Sequence, residues 1–101
     1  MTPEVLRRWL EGVLGTVTYA EAMKVMGIAN MKDLTQALEL LMEQDHAAGS
    51  PLLAARVVSR TRPLPNRGFF DKARDLGLDV VDEAVFHRDE LAALGGSVPA
   101  G

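Results

Sequence analysis

The chain has 101 residues, a formal net charge of -3, 48% hydrophobic residues and 25% charged residues. These values are ordinary for one small globular domain, and they exclude a disordered chain. The sequence contains no cysteine, which excludes disulfides, thiolate nucleophiles and zinc sites built on cysteine. Its apolar runs are too short to cross a bilayer and no secretion signal is visible, so we expect a cytoplasmic protein without membrane contact.

The N-terminal segment predicts an amphipathic helix. Thr2 is a favourable N-cap, and Pro3 stands at the first helical position, where its missing N–H costs nothing. We expect this helix to end near Gly15. Its apolar face is formed by residues at helical spacing, namely Leu6, Trp9, Leu10, Val13 and Leu14.

A short helix and a longer helix are predicted next, with a glycine turn between them. Residues 19–26 form the short helix, because Thr18 and Glu21 have the spacing of a capping box and Gly27 provides a stop. The longer helix spans residues 31–44 and buries one apolar face, made of Met31, Leu34, Leu38, Leu41 and Met42. This succession is typical of a helix-turn-helix.

The segment after the long helix predicts a strand and a loop. Residues 52–60, with the sequence LLAARVVSR, are rich in apolar and β-branched side chains, as in a strand packed on helices. The following TRPLPNRG cannot continue a central strand, because Pro63 and Pro65 lack backbone donors, so it is interpreted as a loop or wing tip. The alternative is an all-helical bundle in which residues 52–60 are simply extended.

Two further helices complete the predicted fold. The first is GFFDKARDLG, with Phe69, Phe70, Ala73 and Leu76 facing inward, and the second spans residues 82–94. We therefore predict a mainly α fold with a small β element (α+β), as a single winged-helix-like domain over residues 1–94. Residues 95–101 are expected to form a disordered C-terminal tail.

Charge is distributed unevenly along the chain. Residues 1–55 hold four basic and seven acidic side chains, residues 56–74 hold six basic and one acidic, and residues 75–101 hold one basic and six acidic. The positive middle segment is a candidate contact for a phosphate backbone. Alternatively, its arginines pair with the acidic segment that follows.

A resemblance to a known family rests on four short stretches: TYAE at residues 18–21, KDLTQAL at 32–38, ARVV at 55–58 and GFF at 68–70. In order and spacing they resemble the C-terminal winged-helix domain of alkylguanine DNA alkyltransferases and alkyltransferase-like proteins. The resemblance implies that Tyr19 corresponds to the family tyrosine that helps rotate a nucleotide out of the duplex. It also implies that Lys32 replaces the arginine that fills the vacated stack, and that Arg56 corresponds to the arginine after the active-site histidine.

The same alignment of motifs places alanine at both reactive positions of the family. Ala54 stands where the family has its cysteine and Ala55 where it has its histidine, so alkyl transfer is excluded. The two histidines, His46 and His87, are far apart and have no metal-ligand spacing. We therefore predict a non-enzymatic protein without catalytic residues, cofactor or metal.

The leading hypothesis is a DNA-binding protein that contacts duplex DNA through the N-terminal part of helix 31–44 and an arginine-rich wing. The predicted contact residues are Tyr19, Lys32, Gln36, Arg56, Arg60, Arg62 and Arg67. Tyr19 and Lys32 also have simpler interpretations, as a packing residue and a solvated helix residue. The second hypothesis is a protein-interaction module with the same fold, which docks to a protein partner or forms a homodimer.

Overall fold

Residues 2–95, which the computed structural model describes, form five α-helices, one 3-10 turn and two short β-strands. In chain order these are α1 (Pro3–Glu11), β1 (Val17–Thr18), α2 (Tyr19–Met26), α3 (Met31–Ala47), the 3-10 turn (Leu53–Arg56), β2 (Val57–Val58), α4 (Arg67–Asp75) and α5 (Glu83–Gly95). The predicted mainly α fold with a small β element is thus confirmed.

Helix α1 begins as predicted but ends earlier. The Thr2 side chain accepts a hydrogen bond from the Val5 N–H, and Pro3 occupies the first turn. The helix ends at Glu11, with Gly12 as its C-cap, so the predicted end near Gly15 is wrong. Leu14 follows the helix and is 97% exposed, because the chain has already left the helical path that would turn this side chain inward.

The pair α2 and α3 has the predicted succession of short helix, glycine turn and longer helix, and the cap of α3 was not predicted. Thr18 and Glu21 form the capping box, and Gly27 ends α2 in the left-handed conformation at φ 68°. Asn30 then caps α3 by accepting from the Asp33 N–H. Helix α3 continues to Ala47, three residues beyond the predicted end, and Met31 is 40% exposed instead of buried because it precedes the packed turns.

The sheet differs from the prediction in both length and partner. Within the predicted strand 52–60 only Val57–Val58 is extended, and Leu53–Arg56 form a 3-10 turn. Strand β2 pairs in parallel with β1, with Val17 opposite Val57 and Thr18 opposite Val58. The strand β1 was not predicted, since two residues are too few to show an alternating pattern.

Strand β2 leads into the loop 59–66 and then into α4, and no strand within residues 2–95 returns beside β2 to make a hairpin. Phe69, Phe70 and Ala73 of α4 are buried as predicted. Helix α5 includes Gly95, so that residue does not belong to a tail. The rest of the predicted tail, residues 96–101, lies outside the described residues.

The core is centred on α3, which packs against α1, α2, α4 and the 3-10 turn. Its most deeply buried large side chains come from α1, α3, α4, β2 and the segments on either side of the 3-10 turn and β2, namely Leu6, Leu10, Leu34, Leu41, Met42, Leu52, Val57, Pro65 and Phe70. Trp9 is only partly buried and packs against this core. Over residues 2–95, none of the helices combines the length and apolarity needed to cross a membrane.

Candidate nucleic-acid interface

Helix α3 presents two of the predicted contact residues on its exposed side. Lys32 and Gln36 are one helical turn apart and both are exposed. Asp33 and Glu43 are also exposed, and Glu39 is half-buried. The positive charge on this helix is therefore confined to its first turn.

The loop 59–66 is closed at its base by three contacts. The Ser59 N–H donates to the Leu64 carbonyl oxygen at 2.8 Å. Pro65 is fully buried. The Asn66 N–H donates to the Tyr19 hydroxyl oxygen at 2.8 Å, which joins the end of the loop to the start of α2. Residues 60–63 form the tip above this base, and all four are exposed.

Tyr19 is a buried residue, with 8% of its surface exposed. Burial raises the pKa of the Tyr19 phenol above its ordinary value, and the hydrogen bond from the Asn66 N–H opposes part of that effect. The phenol is therefore neutral at physiological pH. The simpler of the two interpretations, a packing residue, agrees with this burial, and the hydroxyl has in addition a defined partner in the loop.

Apart from Arg56, the basic residues of segment 56–74 divide into two groups. Lys72 pairs with Glu43, and this hydrogen bond raises the pKa of Lys72. Arg74 pairs with Asp71 and, from the acidic segment, with Glu83. The pairing with the acidic segment that was considered as the alternative thus exists for Arg74, whereas Lys72 pairs with α3 instead. Both side chains are less able to contact a partner.

The second group is accessible. Arg60 and Arg62 at the loop tip are exposed, and neither forms an ion pair within residues 2–95. Arg67 is 90% exposed at its side chain and lies 3.7 Å from the Asp71 carboxylate. An exposed pair of this kind contributes about 0.2–1 kcal/mol, so it leaves Arg67 available.

Arg56 lies apart from these groups. Its Nη1 donates to the Gly15 carbonyl oxygen at 2.9 Å, and its Nε is buried without a hydrogen-bond partner among residues 2–95. The groove around it is lined by Arg7, Glu11, Asp45, Ser50, Pro51, Leu53 and Leu94. Arg56 therefore lines a different groove from the small recess beside Tyr19, which is described next.

A small recess of about 30 Å³, partly open to solvent, lies where α3 meets the end of the loop and the start of α4. It is lined by Tyr19, Thr35, Leu38, Glu39, Met42, Ala54, Asn66, Gly68 and Phe69. The lining is mostly hydrocarbon, with one carboxylate at Glu39. A space of this size holds about one water molecule.

The backbone that carries Ala54 is held by three side chains from two helices. Asp45 Oδ2 accepts from the Leu53 N–H at 3.0 Å, and Glu90 Oε1 accepts from the Leu52 N–H at 2.8 Å. His87 Nε2 lies 2.8 Å from the Ala55 carbonyl oxygen, and because a carbonyl only accepts, this nitrogen carries the proton. These bonds stabilise the 3-10 turn in place of the predicted strand.

The sequence analysis did not predict the contacts of these three side chains, although the pattern around Asp45 indicates a buried carboxylate. Asp45 follows Leu38 and Leu41 on the apolar face of α3, and a carboxylate at such a position needs a buried partner. Its partner is Arg7, whose Nη1 lies 2.7 Å from Asp45 Oδ1. His87 and Glu90 had no comparable signal, since their partners are backbone groups more than 30 residues away.

Residues 2–95 contain no group of three histidine, aspartate or glutamate side chains placed to hold an ion.

Comparison with known proteins gave no match: no family model, no curated protein and no solved structure is significantly similar to this chain.

Proposed function

We propose that this chain is a non-enzymatic, cytoplasmic DNA-binding protein of winged-helix-like design, related to the alkyltransferase-like proteins. The observation that carries the proposal is the pair of exposed arginines, Arg60 and Arg62, on a loop whose base is fixed beside α3. Arginines without compensating carboxylates form an electrostatic footprint for phosphate.

The proposal assigns different contacts to the two elements that border the recess. Lys32 and Gln36 approach the major groove from the first turns of α3, which serves as the recognition helix of the helix-turn-helix. Arg60, Arg62 and Arg67 contact phosphates or the minor groove, and the loop 59–66 takes the place of a wing. Tyr19 and Asn66 lie between these elements, on the wall of the recess.

Acidic residues on α3 limit the strength of this interaction. Asp33 and Glu43 are exposed on the same helix, and Glu39 lines the recess. Because these carboxylates repel phosphate, only the N-terminal turn of α3 approaches the duplex closely. About three or four phosphate contacts remain, which gives a slope of about -3 for log K against log salt.

Fluorescence anisotropy with a labelled duplex at several salt concentrations tests the proposal. The triple variant Arg60→Ala/Arg62→Ala/Arg67→Ala should weaken binding and reduce the magnitude of the salt slope by about 2 to 3. Lys32→Ala should reduce it by about 1. Arg88→Ala is the matched control, because Arg88 is an exposed arginine of α5 whose ion pair is with the neighbouring Asp89.

Two results would overturn this proposal. One is wild-type protein that does not bind duplex DNA even at low salt. The other is a triple variant that binds as tightly as the Arg88→Ala control, since the three arginines together would then contribute no more than one exposed arginine on α5.

A second groove on α3, which includes Gln36 of the proposed DNA surface, supports the second candidate function, a protein-interaction module. It lies between the start of α1 and the turn that joins α2 to α3, and it is lined by Pro3, Gly27, Ile28, Ala29, Asp33, Gln36, Ala37 and Leu40. Leu40 is 39% exposed in this groove. Val25 and Met31, on either side of the turn between α2 and α3, are also exposed. Light scattering on the wild type and on Leu40→Asp tests self-association: a dimer that the substitution dissociates supports this function, and a monomeric wild type excludes the homodimer.

A further inference from the structure

The arginine tip is held in place from both ends. At its start, β2 is paired with β1 through Val58 and Thr18. At its end, Pro65 is buried and the Asn66 N–H donates to the Tyr19 hydroxyl. The bond from the Ser59 N–H to the Leu64 carbonyl then closes the loop on itself. The Tyr19 contact is the one of these that depends on a single side-chain atom.

We infer that Tyr19 is a positioning residue, which holds the arginine loop in its DNA-binding conformation through its hydroxyl group and does not itself contact DNA. This inference rests on the proposed function. It differs from the role implied by the family resemblance, in which the corresponding tyrosine acts on a nucleotide.

Burial and hydrogen bonding both support a role through the loop. Only 8% of Tyr19 is exposed, so its ring cannot reach a duplex unless the surrounding side chains move. Its hydroxyl oxygen already accepts the Asn66 N–H, at a distance of 2.8 Å. Asn66 is the N-cap residue of α4, and its own side chain makes no capping bond. Its carbonyl oxygen accepts from the Phe69 N–H at 3.0 Å, and its N–H is held by the Tyr19 hydroxyl.

The affinity for DNA depends on the fraction of molecules in which the loop is docked. When the loop leaves its docked position, Arg60 and Arg62 are no longer held at a fixed place relative to the start of α2. The apparent affinity then falls in proportion to the docked fraction. Tyr19→Phe retains the ring and removes the hydroxyl. We expect it to weaken DNA binding about threefold to tenfold, the effect of losing one hydrogen bond, without a change in the salt slope.

A double-mutant cycle separates positioning from direct contact. Tyr19→Phe is combined with Arg60→Ala/Arg62→Ala, and anisotropy is measured at low salt, where the weaker variants still bind. If Tyr19 acts through the loop arginines, the substitution has no further effect once they are absent. In the Arg88→Ala background it should retain its full effect, since that arginine belongs to α5.

An equal loss of affinity from Tyr19→Phe in both backgrounds would overturn the inference, because it would indicate a contact with DNA. Amide hydrogen exchange at Asn66 supplies a readout that does not involve DNA. Exchange there should be faster in Tyr19→Phe than in wild type, and unchanged exchange would also overturn the inference. Wild-type protein that does not bind DNA would refute the proposed function, and exchange at Asn66 would still decide whether Tyr19 holds the loop.

Discussion

Replacing Asp45 tests how the turn beneath the recess is held. Asp45→Ala removes the carboxylate that pairs with Arg7 at 2.7 Å and accepts the Leu53 N–H at 3.0 Å. A hydrogen bond to a charged group contributes about 1.5–3 kcal/mol, and a buried N–H without a partner costs about 1–3 kcal/mol. Because the Arg7 side chain is 26% exposed and can regain water, we expect the lower part of this range, a loss of about 3 kcal/mol in the free energy of unfolding.

Urea denaturation followed by circular dichroism measures this loss. With an m-value of about 1–3 kcal/mol/M, the midpoint should fall by about 1–3 M. Asp45→Asn retains an oxygen acceptor and should lose about half as much. Asp79→Ala, at an exposed aspartate, should change stability by less than about 0.5 kcal/mol. If Asp45→Ala were no more destabilising than Asp79→Ala, the reasoning about the buried pair would be wrong.

Two further predictions concern the recess. Glu39→Gln removes a carboxylate beside the proposed DNA surface, so duplex binding should become about twofold to fivefold tighter at low salt. This gain in affinity should shrink as the salt concentration rises. An equal gain from Glu4→Gln, on α1, would contradict a local effect. Tyr19 is the sole tyrosine, so absorbance at 295 nm follows its ionisation alone, and the midpoint in the folded protein should lie above the ordinary value of about 10. Because the folded state then keeps a proton that the unfolded chain has lost, the free energy of unfolding should fall as the pH rises above about 10. An ionisation midpoint of Tyr19 at or below the ordinary tyrosine pKa would refute this prediction.

Local features of the fold could be predicted from the sequence to a large extent. The bounds of α2, the Thr18–Glu21 capping box and the left-handed Gly27 were all predicted and are confirmed. These features depend on residues within a few positions of each other, so their energetics are contained in the local sequence. The length of the strand could not be predicted, because Leu53 and its neighbours have β-forming composition but are held in a tight turn by distant side chains.

The candidate site was predicted only in part. Arg60, Arg62 and Lys32 are exposed, as a contact surface requires, and proline explains why the chain at residues 61–66 forms a loop. The surroundings of Arg56 were not visible in the sequence, because its hydrogen-bond partner is the carbonyl of Gly15. The burial of Tyr19 depends likewise on elements that meet only in the folded chain.

By itself, the sequence determined where the five helices lie, the caps at Thr2 and Thr18, and the absence of a cysteine nucleophile. Each of these depends on residue identity and near neighbours. The tertiary structure decided which charges are used internally and which remain exposed. Lys72 and Glu43 are paired across two helices, whereas Arg60 and Arg62 are not paired with any carboxylate in residues 2–95. Pairing requires two side chains to come within about 4 Å, and for residues far apart in sequence that distance is set by the packing of the core.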